Sequence, residues 1–513
     1  ASNIGSEHLI GLAGAGASSG MAMAHWEIQG WMILILGWVF VPFYTRSMVY
    51  TMPEFLERRY NPQSRTILSV ISLVSYVLTK VAVTVYAGGL VFQQVFGIKE
   101  LWGIDFFWIA AIGLVVLTAL YTIFGGMKSV LYTSVLQTPI LLLGSLIILV
   151  LGFKELGGWD EMMRVCGAVT VNDYGDTMTN LIRSNDDANF PWLGALIGSA
   201  IIGFWYWCTD QFIVQRVLSG KNEMEARRGT IFGAYLKLLP VFLFLIPGMI
   251  AFALHQKYIG AGGEGFLPML ANGTANADAA FPTLVAKLLP AGVKGLVVCG
   301  ILAALMSSLA SLFNSSAMLF TIDFYKRFKP ETPEKKLVGI GQIATIVIVV
   351  LGILWIPIMR SVGDVLYTYL QDVQSVLAPG IAAAFLLGIC WKRTSAQGGM
   401  WGLISGMVIG LTRLGAKVYY SNAGEVADST FKYLFYDMNW LFFCGWMFLF
   451  CIIVVIVVSL ATEAPTAEKI QGLVFGTATK EQKAATRASW NHWDIIHTVI
   501  ILAITAAFYW YFW

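Results

Sequence analysis

Apolar residues run along this chain in long continuous blocks. Blocks long enough to cross a hydrocarbon core as helices, for which about 20 residues suffice, fall at 27–45, 66–96, 104–124, 130–152, 191–218, 229–255, 290–322, 337–358, 365–390, 398–414, 438–460 and 494–513. A shorter, glycine-rich thirteenth covers 5–20. Membrane barrel strands would alternate between apolar and polar residues, and these blocks do not. The pattern predicts an all-α polytopic membrane protein. Two polar stretches, 155–190 and 256–289, are acidic and read as partly ordered covers or loops rather than as domains.

Composition agrees with the pattern. The 513 residues are 57% hydrophobic and 12% charged, with a mean hydropathy of +0.71; a soluble domain carries roughly 25% charged residues. The net charge of +3 is too balanced to suggest a nucleic-acid partner. Its placement is more informative. One set of alternate loops, at 46–65, Lys128, 221–228, 326–336, 392–393 and 469–487, holds nineteen Lys and Arg, and the opposite set holds nine. The positive-inside rule puts the first set in the cytoplasm, so the C-terminal Trp513 is expected outside.

Of the six cysteines only Cys166 falls in a polar loop, and no CxxC pair occurs. Walker A, HExxH and GxSxG patterns are missing too, so an enzyme reading has no local support and any work done must draw on a gradient. The chain opens on Ala1, within a glycine-rich stretch that is no signal peptide, and reads as one lacking its true start.

Three segments break the apolar pattern. Ala1-Ser2-Asn3-Ile4-Gly5-Ser6-Glu7-His8, followed by Gly11, Gly14, Gly16 and Gly20, would leave backbone groups unsatisfied in lipid. It either lines a cavity or forms a small-residue packing face. Ala304, Ser307, Ser308 and Ser311 stand on one helical face, either for close packing with hydroxyls bonded back one turn or as part of an oxygen cage for a hard cation. Gly203-Phe204-Trp205-Tyr206-Trp207-Cys208-Thr209-Asp210-Gln211 puts polar and aromatic groups mid-span, and Lys237 and Gln371 do the same in later spans. Charged intramembrane residues are functional candidates by default. Lys80 reads as a bond to a neighbouring helix, and Arg216 as close enough to the cytoplasm to snorkel.

Along the run Ala1 to Gly11 the sequence resembles the sodium/solute symporter family, in particular its sodium/glucose cotransporter branch. The likeness continues through Thr51-Met52-Pro53-Glu54, Tyr121-Thr122-Ile123-Phe124-Gly125-Gly126, Trp205 to Gln211, Ile213-Val214-Gln215-Arg216, Leu305-Met306-Ser307-Ser308-Leu309, Phe320-Thr321-Ile322-Asp323 and Phe385-Leu386-Leu387-Gly388. It covers essentially the whole chain in collinear order. The resemblance implies a LeuT-like fold of two inverted five-helix repeats, each opening on a broken helix, with binding sites near the bilayer midplane. The repeats would cover 1–154, lacking its N-terminal part, and 190–395, with an extracellular loop at 155–189 and peripheral helices over 396–513.

Carried over by position, the resemblance implies a sodium site made by backbone carbonyls of Ala1, Ile4 and Ala304 and the hydroxyls of Ser307 and Ser308. The sugar site would fall on Asn3, His8, Glu27, Tyr206, Trp207, Lys237 and Gln371, lined by Trp26, with Tyr206 as inner gate. Two departures stand out: Gly203 replaces a polar Asn or Thr of relatives, and Ser134 replaces an Asp that many relatives associate with a second ion. The function implied is sodium-driven import of a monosaccharide such as glucose or galactose across a plasma or inner membrane. The alternatives are a myo-inositol or polyol carrier, and a sodium-dependent sugar sensor that does not translocate. The partners implied are sodium, a small-molecule sugar and the lipid bilayer; nothing specifies an accessory subunit.

Overall fold

The apolar blocks form helices. The computed structural model describes residues 3–5, 7–270, 273–362, 365–422 and 427–513, with side chains except at 121, 123–131, 133–134, 136–137 and 359–362. Among the described residues ten helical stretches are long and apolar enough to cross a membrane. Ala1, Asn272 and the side chain of Ser134 lie outside what is described.

The glycine-rich start does both things its pattern allows. Residues 3–5 are bent, Glu7–Leu12 is wound as a π-helix, and Ala13–Ser19 continues as α-helix. A Cβ on Gly16 would lie 2.2 Å from the Leu245 carbonyl oxygen, and one on Gly248 2.0 Å from that of Ala13. The Ala13–Ser19 and Ile246–Gly260 helices therefore meet backbone to backbone. Packing uses the later glycines and leaves residues 3–5 irregular.

The 191–218 block is also broken. Trp192–Phe204 passes through a π-turn at Trp205–Thr209, Asp210 is extended, and Gln211–Leu218 restarts as a helix capped by the Asp210 carboxylate on the Phe212 amide. The cap supplies an acceptor to a helix N-terminus inside the membrane. Asp210 also accepts from the Tyr76 hydroxyl at 2.9 Å and pairs with Lys80. Lys80 thus bonds a neighbouring element, as its position suggests.

Several expectations change. The blocks at 104–124 and 130–152 are joined in one helix, Phe106–Leu156. At 1.5 Å per residue its 51 residues make a helix of about 77 Å, more than two crossings of the hydrocarbon core; the Gly125-Gly126 pair does not end it. Arg216 does not snorkel: its guanidinium donates to Ser311 Oγ at 2.7 Å. The 155–190 stretch is ordered by the Trp159–Gly167 helix and by Asn172 bonding Asp176 and Asp187 at 2.7 and 2.8 Å. Cys166 is buried there, its Sγ 3.8 Å from the Met249 carbonyl oxygen. A two-stranded hairpin, Glu100–Leu101 with Ile104–Asp105, is a small exception to the helical pattern.

Candidate functional site

The two breaks face one cavity of about 390 Å³. From the first comes Asn3, then Glu7 and His8; from the second, Gly203, Tyr206 and Trp207; Trp26 and Gln29 follow the first helix, and Lys237 and Gln371 come from the Glu223–Pro240 and Leu366–Cys390 helices. Seven of the eight residues carried over for the sugar site line it.

Glu27, the eighth, does not. It is fully buried behind the wall, where Oε2 accepts from Lys237 Nζ at 2.6 Å and faces His8 Nε2 at 3.1 Å, and Oε1 accepts from the Tyr367 hydroxyl at 2.5 Å. One carboxylate thereby fixes three side chains from three helices, and two of its partners, His8 and Lys237, are themselves among the carried-over residues. Tyr206 donates its hydroxyl to Asn3 Oδ1 at 3.1 Å, closing the gap between the two breaks. Gln371 Oε1, His8 Nδ1 and Trp26 Nε1 are buried without hydrogen-bond partners among the described residues. An orphaned polar atom costs about 1–3 kcal/mol, and three around one cavity suit a ligand rich in hydroxyls.

The sequence reading missed Glu7, Gln29, Tyr367, Leu370 and Gln374 on this wall. Three of them carried a signal: Tyr367, Leu370, Gln371 and Gln374 stand at i, i+3, i+4 and i+7, a single stripe of one helix. Gln29 carried none. Its amide donates to the Ser199 carbonyl at 2.8 Å, and a Cβ on Gly203 would fall 2.3 Å from its Oε1. The absence of a side chain at position 203 makes room for this one.

Beside the cavity, Ile4, Ala304, Ser307 and Ser308 are all buried. Ser311 and Ser315 donate back to the carbonyls of Ser307 and Ser311, each at 2.9 Å, as a packing stripe should. Ser308 does not: its Oγ has no partner among the described residues, and a Cβ on Gly5 would lie 2.3 Å from it. An unused hydroxyl pressed against the irregular backbone at residues 3–5 fits a site for a hard cation.

A second cavity, of about 1210 Å³, shares the wall residues Asn3, Trp207 and Lys237 and extends past Arg216 to the exposed Gly220 and Glu225. On the opposite side Trp26 is backed by Phe190 and Trp440.

Two broken helices around such a cavity are the architecture of sodium-coupled symporters. The fold is shared with a substrate-bound, outward-open Na+-coupled sialic acid symporter, 20% identical with a TM-score of 0.68 over 91% of this chain and 89% of that one. It is shared also with MhsT in complex with L-phenylalanine, at 13% identity and a TM-score of 0.50 over 90% and 96% of the two chains. The fold is therefore all-α and LeuT-like, with two inverted five-helix repeats plus peripheral helices. The model of the sodium:solute symporter family matches residues 1–406, and the chain belongs to that family; it is a sodium-coupled, multi-pass membrane symporter of small solutes. Similar proteins include human sodium/myo-inositol cotransporter 2, 36% identical over 93% of this chain and 72% of that protein. Sodium/glucose cotransporter 1 of Ovis aries is 38% identical over 90% and 71%.

Proposed function

We propose that the protein imports a six-membered polyhydroxylated ring, a monosaccharide such as glucose or galactose, with sodium. The observation that carries this is the cavity wall, where amides, an imidazole and an ammonium surround an indole and three buried polar atoms have no partner. Hydroxyls of a ring can meet such groups while its apolar face lies on an aromatic surface, and a site that pairs hydroxyls rejects ligands lacking them. Asn3, His8, Trp26, Tyr206, Trp207, Lys237 and Gln371 would contact the ring, with Glu27 orienting His8 and Lys237. Sodium would be held by carbonyls of Ala1, Ile4 and Ala304 and the hydroxyls of Ser307 and Ser308.

The repeats are assigned to 1–154 and 190–395, with the loop at 155–189 outside, peripheral helices over 396–513 and the C-terminus outside a plasma or inner membrane. The cavity reaching Gly220 and Glu225 would then be the release path to the cytoplasm, with Tyr206 as its gate. Each inward charge gains roughly 2.3 kcal/mol per 100 mV, which concentrates substrate about fiftyfold.

Myo-inositol is a second reading, favoured by the similarity to sodium/myo-inositol cotransporter 2. Uptake of labelled glucose, galactose and myo-inositol into proteoliposomes, with and without a sodium gradient, tests both. Sodium-driven uptake of a hexose is expected. Uptake of myo-inositol alone supports the second reading, binding without uptake a sensor, and transport of none of the three rejects the ring.

A further inference from the structure

Trp26 is the carried-over residue whose surroundings the transport reading does not explain. Its indole is stacked on that of Trp440, with centroids 5.4 Å apart and planes 23° from parallel. Phe190 stands edge-on to both, at 6.1 and 6.4 Å. The three rings come from segments far apart in the chain: Trp26 from the first repeat, Phe190 from the end of the 155–190 loop, and Trp440 from the first residue of the Trp440–Ala461 helix. Only Trp26 of the three is on the cavity wall.

Each backing ring is fixed by its own anchors. Asp187 Oδ1 accepts from the Phe190 amide at 2.7 Å. Asn439 caps the helix on the Leu441 amide at 2.9 Å and donates to the Ala188 carbonyl at 2.7 Å, tying the loop to the helix start. Leu441 sits against Gly194 and Gly198, where a Cβ would approach its side chain to 3.0 and 2.8 Å. The loop and a helix outside the two repeats are therefore held to one geometry, and both meet at Trp26. The indole N–H of Trp26 is buried with no acceptor among the described residues. A donor left unmet on the cavity wall is one that a ligand hydroxyl can use.

We propose that Trp440 is a positioning residue for substrate specificity: with Phe190 it clamps the Trp26 indole as an aromatic lid over the ligand cavity, which admits a bare polyhydroxylated ring and excludes one with a bulky substituent at the lid end. The inference rests on the ring-substrate reading for its ligand class, but the lid itself can be tested without any substrate.

Three variants are compared with the native protein: Trp440→Ala, Trp440→Leu, which keeps apolar volume should alanine fail to fold, and Trp440→Phe, which keeps a ring. In the first arm, phenyl β-glucoside competes with uptake of whichever labelled ring the native protein transports. Its inhibition constant relative to the substrate KM should fall about tenfold in Trp440→Ala and Trp440→Leu, the fold-change a well-placed aromatic pair supports, and stay near native in Trp440→Phe. In the second arm, Gln371→Cys is added to each and labelled from outside with a membrane-impermeant thiol reagent, subtracting the same protein without the new cysteine. Labelling should speed up when the ring is lost and not when it is kept. Unchanged labelling and unchanged discrimination in the ring-less variants would overturn the lid. If the native protein transports no ring, the substrate reading falls, and the labelling arm still decides the lid.

Discussion

Ser308 holds a buried hydroxyl with no partner against the Gly5 backbone, while Ser311 and Ser315, one and two turns along, bond back to their own helix. That difference separates a cation ligand from a packing residue. Ser308→Ala removes a hydroxyl that makes no hydrogen bond among the described residues, so the melting temperature measured without sodium should hold or rise. The sodium concentration for half-maximal uptake should rise about tenfold or more, for the roughly 1.5–3 kcal/mol of a hydrogen-bonding group facing a charge. Native sodium affinity in this variant would reject the cage. A second residue-scale test concerns Gly203 and Gln29. Gly203→Ala would bring a methyl to 2.3 Å from Gln29 Oε1, and overpacking of this kind costs about 1–3 kcal/mol. Substrate KM should rise accordingly, and Gln29→Ala in the same protein should recover much of the loss. A double-mutant cycle measures the coupling; additive effects would show that the two side chains do not compete for one space.

At the scale of elements, the 256–289 stretch is coupled to the helix that carries Gln371. Asp278, in the short Ala277–Ala279 helix of the 256–289 stretch, is buried and accepts from the Leu366 amide at 3.3 and 3.2 Å, at the start of Leu366–Cys390. Burial pushes its carboxyl up to about 7, with the Leu366 hydrogen bond pulling the other way. A folded value above the unfolded one means the folded protein keeps a proton the unfolded chain has lost, so this group's stabilisation is complete at low pH and declines as pH rises from about 4 to 7. Asp278→Asn keeps an acceptor for Leu366 and removes the charge. It should melt above the native protein at pH 8 and level with it near pH 4; equal differences at both pH values would show that Asp278 does not titrate in this range. The same coupling shows what the sequence could convey. The polarity of local runs marked the two irregular segments and, on the wall, Asn3, His8, Tyr206, Trp207, Lys237 and Gln371, because intramembrane polarity is costly enough to mark itself; Trp26 and the grouping of all seven into one site came only from the resemblance. Gln29 and the Trp440 contact did not follow from any local run, since each depends on which distant helix packs opposite. The single Phe106–Leu156 helix did not follow either, because block lengths of about 20 residues suggested two separate spans.

For the whole molecule, the arrangement of charge bears on how many ions move. Three of the buried carboxylates, Glu27, Asp210 and Asp323, each face a cation already: Lys237 at 2.6 Å, Lys80, and Arg65 at 2.6 Å. Two of these pairs tie distant helical stretches to one another, Glu27 and Lys80 lying within 7–96 and Lys237 and Asp210 within 210–260. None of the three is therefore left over to offset a second sodium, and removing one from its pair would strand a buried charge at a cost of about 3–5 kcal/mol. At position 134, where the resemblance implies an Asp in many relatives, this chain has Ser. A cation there would rely on neutral oxygens against the desolvation penalty of a low-dielectric bundle, whereas the group around Ile4, Ala304, Ser307 and Ser308 lies next to irregular backbone whose carbonyls can turn toward an ion. We therefore expect one sodium per solute. The reversal potential of solute-dependent current, measured while sodium and solute gradients are varied independently, should follow one charge per solute. Ser134→Asp should then add either a second sodium dependence or a protonated acid indifferent to sodium, according to whether oxygens near it can complete a site. A native slope of two charges per solute would show that neutral ligands suffice for the second ion and that the buried carboxylate pairs do not limit the count.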